Sequence, residues 1–200
     1  MKIERTISKM TLFAVLVCAV TVMMGAATPT PAMGASLSSE EAAMLTYMRE
    51  EEKMARDVYL KMFEIWGAAI FSNIAGSEQR HMDTMKKMLD KYRLPDPVQP
   101  AIGAFTNLAL QEKYDELVDS GSKSYLDGLY AGATIEEIDM VDIQHALDGT
   151  SRLDLKTAYQ NLLEGSKNHL RAFVGALAGQ GVTYDPQFIS QELYDAIIGF

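Results

Sequence analysis

The chain has 200 residues, of which 27 are acidic and 18 are lysine or arginine, and its formal net charge is −9. So acidic a chain lacks the electrostatic footprint of a nucleic-acid-binding protein, and we expect no nucleic-acid partner. A single cysteine, Cys18, excludes an intramolecular disulfide and a thiolate metal site, so a packed core must stabilise the fold.

The first 35 residues predict a targeting segment. Three basic residues precede an apolar run at 10–27, and small residues and prolines continue to residue 35. This order is typical of a secretory signal peptide and predicts an exported, extracytoplasmic protein, either periplasmic or secreted. The alternative is an uncleaved membrane anchor, because 18 apolar residues are at the short end of what spans a bilayer. Residues 36–200 are predicted to form one domain.

The remaining sequence carries helical patterns. A serine pair followed by two glutamates predicts that a first helix begins at Ser38 or Ser39, and a glycine ends it after Trp66. A second helix is predicted from about Ser72 to Tyr92, where prolines prevent its continuation. Residues 94–107 then form a long connection, and its length suits a crossover between parallel helices.

The second half of the chain predicts four more helices: a short one at Leu108–Asp119, two long ones from Ser122 to about Leu147 and from about Arg152 to Leu177, and a tail helix at Ser190–Ile198. The tail helix is expected to dock through Leu193, Tyr194 and Ile197. Four long helices with one long crossover predict an all-α, ferritin-like four-helix bundle.

The clearest chemistry lies on the second predicted helix. Glu78 and His81 are one turn apart, so both side chains project from the same face. A carboxylate that points into a core needs a partner, because an isolated buried charge is very costly. A metal ion shared with His81 is one such partner. The other residues on this face are apolar or small: Ile74, Ala75, Met82 and Met85.

Two other long helices add inward-facing candidates. Glu52 lies within an apolar stripe that includes Ala55 and Tyr59. Glu50 and Glu51 lie further round the first helix and are expected to be solvated, although Glu51 borders the stripe. Tyr59 is interpreted as a core aromatic residue or as a residue close to a metal. On the fourth long helix, His169 shares an inward face with three other residues: Leu162, Ser166 and Phe173.

The third long helix offers two adjacent glutamates. Glu136 shares a face with apolar residues: Leu129, Ala133, Met140 and Ile143. Glu137 shares a face with a mixed set: Tyr130, Ala133, Val141 and Gln144. Either glutamate can face the core, and we favour Glu137 by a narrow margin.

Four motifs resemble known helical metalloproteins. One glutamate from each of two helices, with Glu-x-x-His from another, resembles the ferritin-like di-iron pattern. More closely, Glu-Glu-Lys-x-Ala-Arg-Asp-Val-Tyr (51–59), Ser-Glu-Gln-Arg-His (77–81), Ile-Glu-Glu-x-Asp (135–139) and Gly-Ser-x-Asn-His-Leu-Arg-Ala-Phe (165–173) are similar to the ferritin-like family known as domain of unknown function 2202. The resemblance spans residues 40 to about 198.

This resemblance implies a ferritin-like fold and a metal site, without an assigned activity. The ligands it implies are Glu52, Glu78, His81, either Glu136 or Glu137, and His169. Carboxylates with imidazole suit iron or manganese, as one ion or two. If two irons are held, the fold analogy implies a non-haem iron oxidoreductase that oxidises ferrous ions or reduces peroxide. One departure is Ser166, which stands where a ferritin-like di-iron protein has glutamate.

Two other functions remain as alternatives. The bundle would be a metal-free interaction or stress protein if its carboxylates and histidines satisfy one another, and Ser166 favours that interpretation. It would be a copper carrier if its methionines, such as Met82 and Met85, bind copper(I). Methionines at helical spacing are more often core residues. The sequence leaves the oligomeric state open.

Overall fold

Residues 36–199 are described by a computed structural model, and within this range the chain forms six α-helices and no β-strand. The predicted targeting segment lies outside the described residues. In residues 36–199, no helix is both long and apolar enough to cross a membrane. The helices are α1 (Ser39–Trp66), α2 (Ala69–Tyr92), α3 (Leu108–Gly121), α4 (Tyr125–Asp148), α5 (Leu153–Gly179) and α6 (Gln191–Ile198).

The four long helices α1, α2, α4 and α5 form a closed bundle. The α1 helix packs against α2 and α4, and α5 packs against the same two helices. The short helix α3 lies against α1 and α4, and α6 lies against α5. The predicted all-α bundle is therefore confirmed.

Side-chain pairs give the helix directions. Tyr47, near the start of α1, contacts Asp142 near the end of α4, whereas Tyr59 further along α1 contacts Glu136. The α1 and α4 helices are therefore antiparallel. The two-residue connection after Trp66 makes α2 antiparallel to α1 as well, so α2 and α4 run parallel. The predicted crossover supplies the long return that this parallel arrangement requires.

Helix ends follow the capping signals with two shifts. Ser38 and Glu41 form the expected capping box at the start of α1. The α2 helix begins at Ala69, three residues earlier than predicted. The α4 helix begins after Ser124, whose hydroxyl accepts the Asp127 N–H, whereas Ser122 caps the end of α3 and donates to the Val118 carbonyl. The predicted start at Ser122 was therefore two residues too early.

One face of α1 holds the crossover with buried charges. Both carboxylate oxygens of Glu50 accept backbone N–H groups, from Thr106 at 2.6 Å and Asn107 at 3.1 Å. Lys53 is fully buried and donates to Asp57 and to the carbonyl of Ala101 at 2.9 Å. The expectation that Glu50 and Glu51 are solvated was wrong, since only 3% and 1% of their surfaces are exposed. The crossover covers Glu50, and α4 covers Glu51.

The core is divided into two apolar clusters with a polar layer between them. One cluster contains large aromatic residues such as Phe71 and Phe173. The other contains aliphatic residues and methionines, including Leu89 and Met85. On α1, α2 and α5 alike, buried polar residues lie in sequence between the residues of one cluster and those of the other. The polar layer consists of Glu52, Glu78, His81, Glu136, Asp139, Ser166 and His169.

The tail docks as predicted through two of three residues. Tyr194 and Ile197 are buried, whereas Leu193 is 42% exposed and makes the third prediction wrong. Arg171 on α5 donates to the carbonyl of Ile197 at 2.7 Å. A helix of eight residues has too few turns for its apolar pattern to fix which of Leu193 and Tyr194 faces the bundle.

Candidate metal centre

Two groups of ligand-type side chains meet in the polar layer. Among residues 36–199, Glu52, Glu78 and His81 form one group, and Glu78, Glu136 and His169 form the other. In each group the candidate ligand atoms lie within 4.8 Å of one another. His81 is the most exposed member, with 12% of its side chain accessible. Because Glu78 belongs to both, the two groups form one continuous centre.

The first group is built from one turn of α2 and one residue of α1. The His81 Nδ1 atom lies 2.7 Å from Glu78 Oε2 and 3.1 Å from Glu52 Oε2. The spacing of three residues on α2 places Glu78 and His81 on one face, and α1 presents Glu52 to both. Only 1% of Glu52 and 2% of Glu78 is exposed.

The second group joins Glu78 of α2 to one residue of α4 and one residue of α5. The His169 Nδ1 atom lies 2.7 Å from Glu78 Oε1 and 3.4 Å from Glu136 Oε2. The other oxygen of Glu136 accepts a hydrogen bond from the Tyr59 hydroxyl at 2.5 Å. The two imidazole rings are 5.5 Å apart at their centroids. The Nδ1 atoms of His81 and His169 thus point at the two different carboxylate oxygens of Glu78.

The histidines and Glu78 stabilise each other's charges. Burial alone raises the pKa of Glu78, but the close approach of the charged His169 and His81 rings outweighs burial and lowers it to about 2. Burial lowers the pKa of His81, yet Glu52 and Glu78 raise it to about 11. Burial opposes the charged form of His169 in the same way, and Glu136 and Glu78 raise its pKa to about 10. Without a metal, both imidazoles are therefore cationic at neutral pH.

The remaining carboxylates of the centre lack full compensation. Burial raises the pKa of Glu52 to about 7 against the opposing influence of His81. Burial also raises the pKa of Glu136. Within the described part of the chain, Glu52 Oε1, Glu78 Oε1 and His169 Nδ1 have no hydrogen-bond partner of acceptable geometry, although the last two atoms are only 2.7 Å apart. A cation between these atoms would give each of them the partner that it lacks.

Glu137 lies outside the centre, contrary to the preference drawn from the sequence. Its Oε2 atom accepts backbone N–H groups of the tail from Gln187 at 2.8 Å, Phe188 at 2.6 Å and Ile189 at 3.0 Å. Neighbouring residues on a helix are about 100° apart, so only one of the two glutamates can face the bundle axis. The rotation of α4 directs Glu136 inward and Glu137 toward the tail.

Asp139 is a polar-layer residue that the search for ligands in the sequence missed. It is 5% exposed, and the Ser166 hydroxyl donates a hydrogen bond to its Oδ2 atom. Burial, followed by the charges of Glu52 and Glu136, raises the pKa of Asp139 well above its usual range. The available signal was its spacing of three residues from Glu136, which places both on one face of α4.

The methionines named as copper candidates are buried in the bundle. Met85 packs in the aliphatic cluster with Met48, and Met82 is 2% exposed. Their positions are those of core residues that fill space between helices.

Comparison with known proteins identifies relatives along nearly the whole described chain. Residues 41–199 match the family described as "Uncharacterized protein domain (DUF2202)". Uncharacterized protein MJ0754 of Methanocaldococcus jannaschii is 50% identical over 163 residues, which cover 81% of this chain and 88% of that protein.

Two crystal structures are similar in fold. That of hypothetical protein MJ0754 has a TM-score of 0.81 at 46% identity and covers 88% of this chain and 98% of that chain. That of a DUF305 fragment from Deinococcus radiodurans has a TM-score of 0.60 at 15% identity, with 72% and 99% covered, and shows likeness of fold alone. Given the matched range and the 50% identity to MJ0754, this chain belongs to the DUF2202 family.

Proposed function

We propose that this protein binds iron or manganese in the polar layer of its bundle, and that the bound metal supports redox chemistry. The observation that carries the proposal is the pair of carboxylate–histidine groups joined by Glu78. Each group offers carboxylate oxygens and one imidazole nitrogen. Two groups that share one carboxylate suit two neighbouring ions better than one.

The donor set supports this choice of metal. Carboxylate oxygens with imidazole nitrogens favour iron and manganese, whereas copper(I) favours thioether and thiolate sulfur. Met85 instead packs among aliphatic side chains of the core. Neutral imidazole is the form that binds a metal, so an ion would replace the protons that the two histidines carry.

The protein's own residues would hold and shield such a centre. Glu78 would contribute one oxygen to each group, and Glu52 and Glu136 would complete the groups on opposite sides. Tyr59 orients Glu136 through its hydroxyl, which limits the freedom of that carboxylate. Iron or manganese in such a site supplies one-electron redox chemistry toward oxygen or peroxide. The resemblance to ferritin-like di-iron proteins supports the same function, as a fold analogy.

The deciding experiment is metal analysis of the full-length protein purified without added metal and then loaded anaerobically with iron(II) or manganese(II). Wild-type protein is expected to retain metal after desalting, and the Glu78→Ala/His81→Ala variant to lose it. Glu164→Ala, at an exposed position on α5, is the matched control and should bind like wild type. Absence of metal from the wild-type protein under both loading conditions would refute the proposal.

A metal-free bundle is the second candidate function, and the ion pairs of the centre favour it. His81 and His169 already neutralise Glu78 in the metal-free state, and such a network can persist as a structural feature. This alternative predicts no retained metal and a melting temperature that does not respond to chelators. The protein would then act through its surface, as an interaction module.

A further inference from the structure

The helix pairs α1–α2 and α4–α5 place their polar-layer residues at equivalent positions. In the first pair, Glu52 on α1 contacts His81 on α2. In the second, Glu136 on α4 approaches His169 on α5. Each pair therefore sets a glutamate of its first helix level with a histidine of its second helix.

One turn away, the two pairs differ in which helix carries the acid. One turn forward on α1 and one turn back on α2 are Ala55 and Glu78, a small residue and a carboxylate. The equivalent positions on α4 and α5 are Asp139 and Ser166. Their hydrogen bond shows that this register holds. The carboxylate that α5 lacks at Ser166 is thus present on α4, directly opposite.

We propose that Asp139 is the fourth carboxylate of the metal centre, a ligand of the second ion, and that Ser166 positions it. This inference rests on the metal-binding function proposed above. It would explain why Ser166 stands where the ferritin-like pattern has glutamate, because the carboxylate is then supplied by the neighbouring helix α4 instead of α5.

The surroundings of Asp139 support this assignment. Its Oδ1 atom is buried and has no hydrogen-bond partner among residues 36–199. The negative charges of three other buried carboxylates, those of Glu52, Glu136 and Glu78, act on Asp139. A fourth acid among three is costly unless a cation compensates it. Four carboxylates would neutralise two divalent ions, whereas three would leave a positive charge buried.

Ser166 has the contacts expected of a positioning residue. Its Oγ atom donates to Asp139 Oδ2 and also lies 3.0 Å from the carbonyl oxygen of Leu162 on its own helix. The residue is fully buried. The hydroxyl therefore occupies one oxygen of Asp139 and leaves the other free. Aspartate is one methylene shorter than glutamate, so its reach depends on this alignment.

The test is cobalt(II) binding to the full-length protein, followed by the visible absorption of the bound ion and by metal analysis. Wild-type protein is expected to bind two equivalents. Asp139→Ala should keep one and bind the second at least about 10-fold more weakly. The exchange variant Asp139→Ala/Ser166→Glu, which copies the Ala55 and Glu78 arrangement, should regain the second ion. Asp139→Asn preserves the side-chain shape and replaces Asp139→Ala if that variant does not fold.

Further variants separate ligation from positioning. Ser166→Ala should bind two ions with the second about 10-fold weaker, and Ser166→Thr, which restores a hydroxyl, should recover the affinity. Asp142→Asn, one turn further along α4 and in contact with Tyr47, is the control and should match wild type.

The outcomes distinguish this inference from the function on which it rests. Wild-type protein that binds no cobalt would refute the proposed function. Wild-type protein that binds one ion, or Asp139→Ala protein that binds two with wild-type affinity, would overturn the role of Asp139 and leave metal binding intact. A folded exchange variant that stays at one ion would overturn the exchange of acids between helices.

Discussion

Individual residues in the polar layer are constrained by very small distances. Gly165 on α5 faces the His81 ring, and a Cβ atom at this position would lie 2.5 Å from its Cε1 and Nε2 atoms. The missing side chain therefore leaves the space in which the imidazole stands. His81 in turn directs Nδ1 at Glu78 and Glu52. The geometry of the centre thus depends on a residue that carries no functional group.

Gly165→Ala is expected to displace His81 and weaken metal binding about 10-fold or more. Overpacking should also lower the free energy of unfolding by about 1–3 kcal/mol. Gly175→Ala on the same helix is the matched control, because nothing lies within 4 Å of its added Cβ atom. That variant should gain about 0.5–1 kcal/mol from helix propensity. Metal titration and urea unfolding measure both effects. Equal metal affinity in the two variants would contradict the steric argument.

At the scale of elements, α1 combines two tasks on different faces. One face supplies Glu52 and Tyr59 to the polar layer, and another supplies a stripe of charges to the crossover. In that stripe, Arg49 forms two hydrogen bonds with Asp96, at 3.1 Å and 3.0 Å. Asp57 accepts from Lys53 and from the Gly103 N–H at 2.9 Å. The long connection is therefore fixed to α1 by specific bonds to charged side chains of that helix.

Asp57→Ala should lower the free energy of unfolding by about 3–5 kcal/mol, because it leaves the Lys53 ammonium buried without its charge partner. Glu64→Ala, which removes an exposed ion pair with Lys61 on the same helix, should change it by less than about 1 kcal/mol. Urea unfolding followed by circular dichroism distinguishes the two. Similar midpoints for both variants would show that the buried pair does not hold the crossover.

For the whole molecule, the proposed metal would compete with protons for one polar layer that lies between two apolar clusters. The raised pKa values of His81 and His169 stabilise the metal-free fold below the unfolded value of about 6.5. That contribution is lost as the pH rises through about 11 and about 10, respectively. The pKa of Glu52, raised to about 7, acts in the same direction, because its ionisation between about 4.5 and 7 disfavours the fold. A metal binds the deprotonated forms, so its stabilising effect grows with pH.

The melting temperature of manganese-loaded protein should exceed that of chelated protein, and this difference should widen from about pH 6 to about pH 8. At a free metal concentration of about 100 times Kd, the stabilisation is about 2.7 kcal/mol, or roughly 5–10 °C for a chain of this size. Calorimetric scans at each pH give the difference. The Glu78→Ala/His81→Ala variant should show none. A difference that narrows with rising pH would contradict proton–metal competition at the histidines.

The sequence by itself determined the presence of the six helices, the capping box that begins α1 and the inward direction of Glu52, Glu78, His81 and His169, because each follows from spacing along one helix. The tertiary structure decided what depends on the rotation and neighbours of a helix. It directed Glu136 rather than Glu137 to the centre, since adjacent residues straddle the edge of a face and packing sets which one turns inward. It also placed Asp139 opposite Ser166, because a contact between two helices depends on their register, which helical periodicity does not contain.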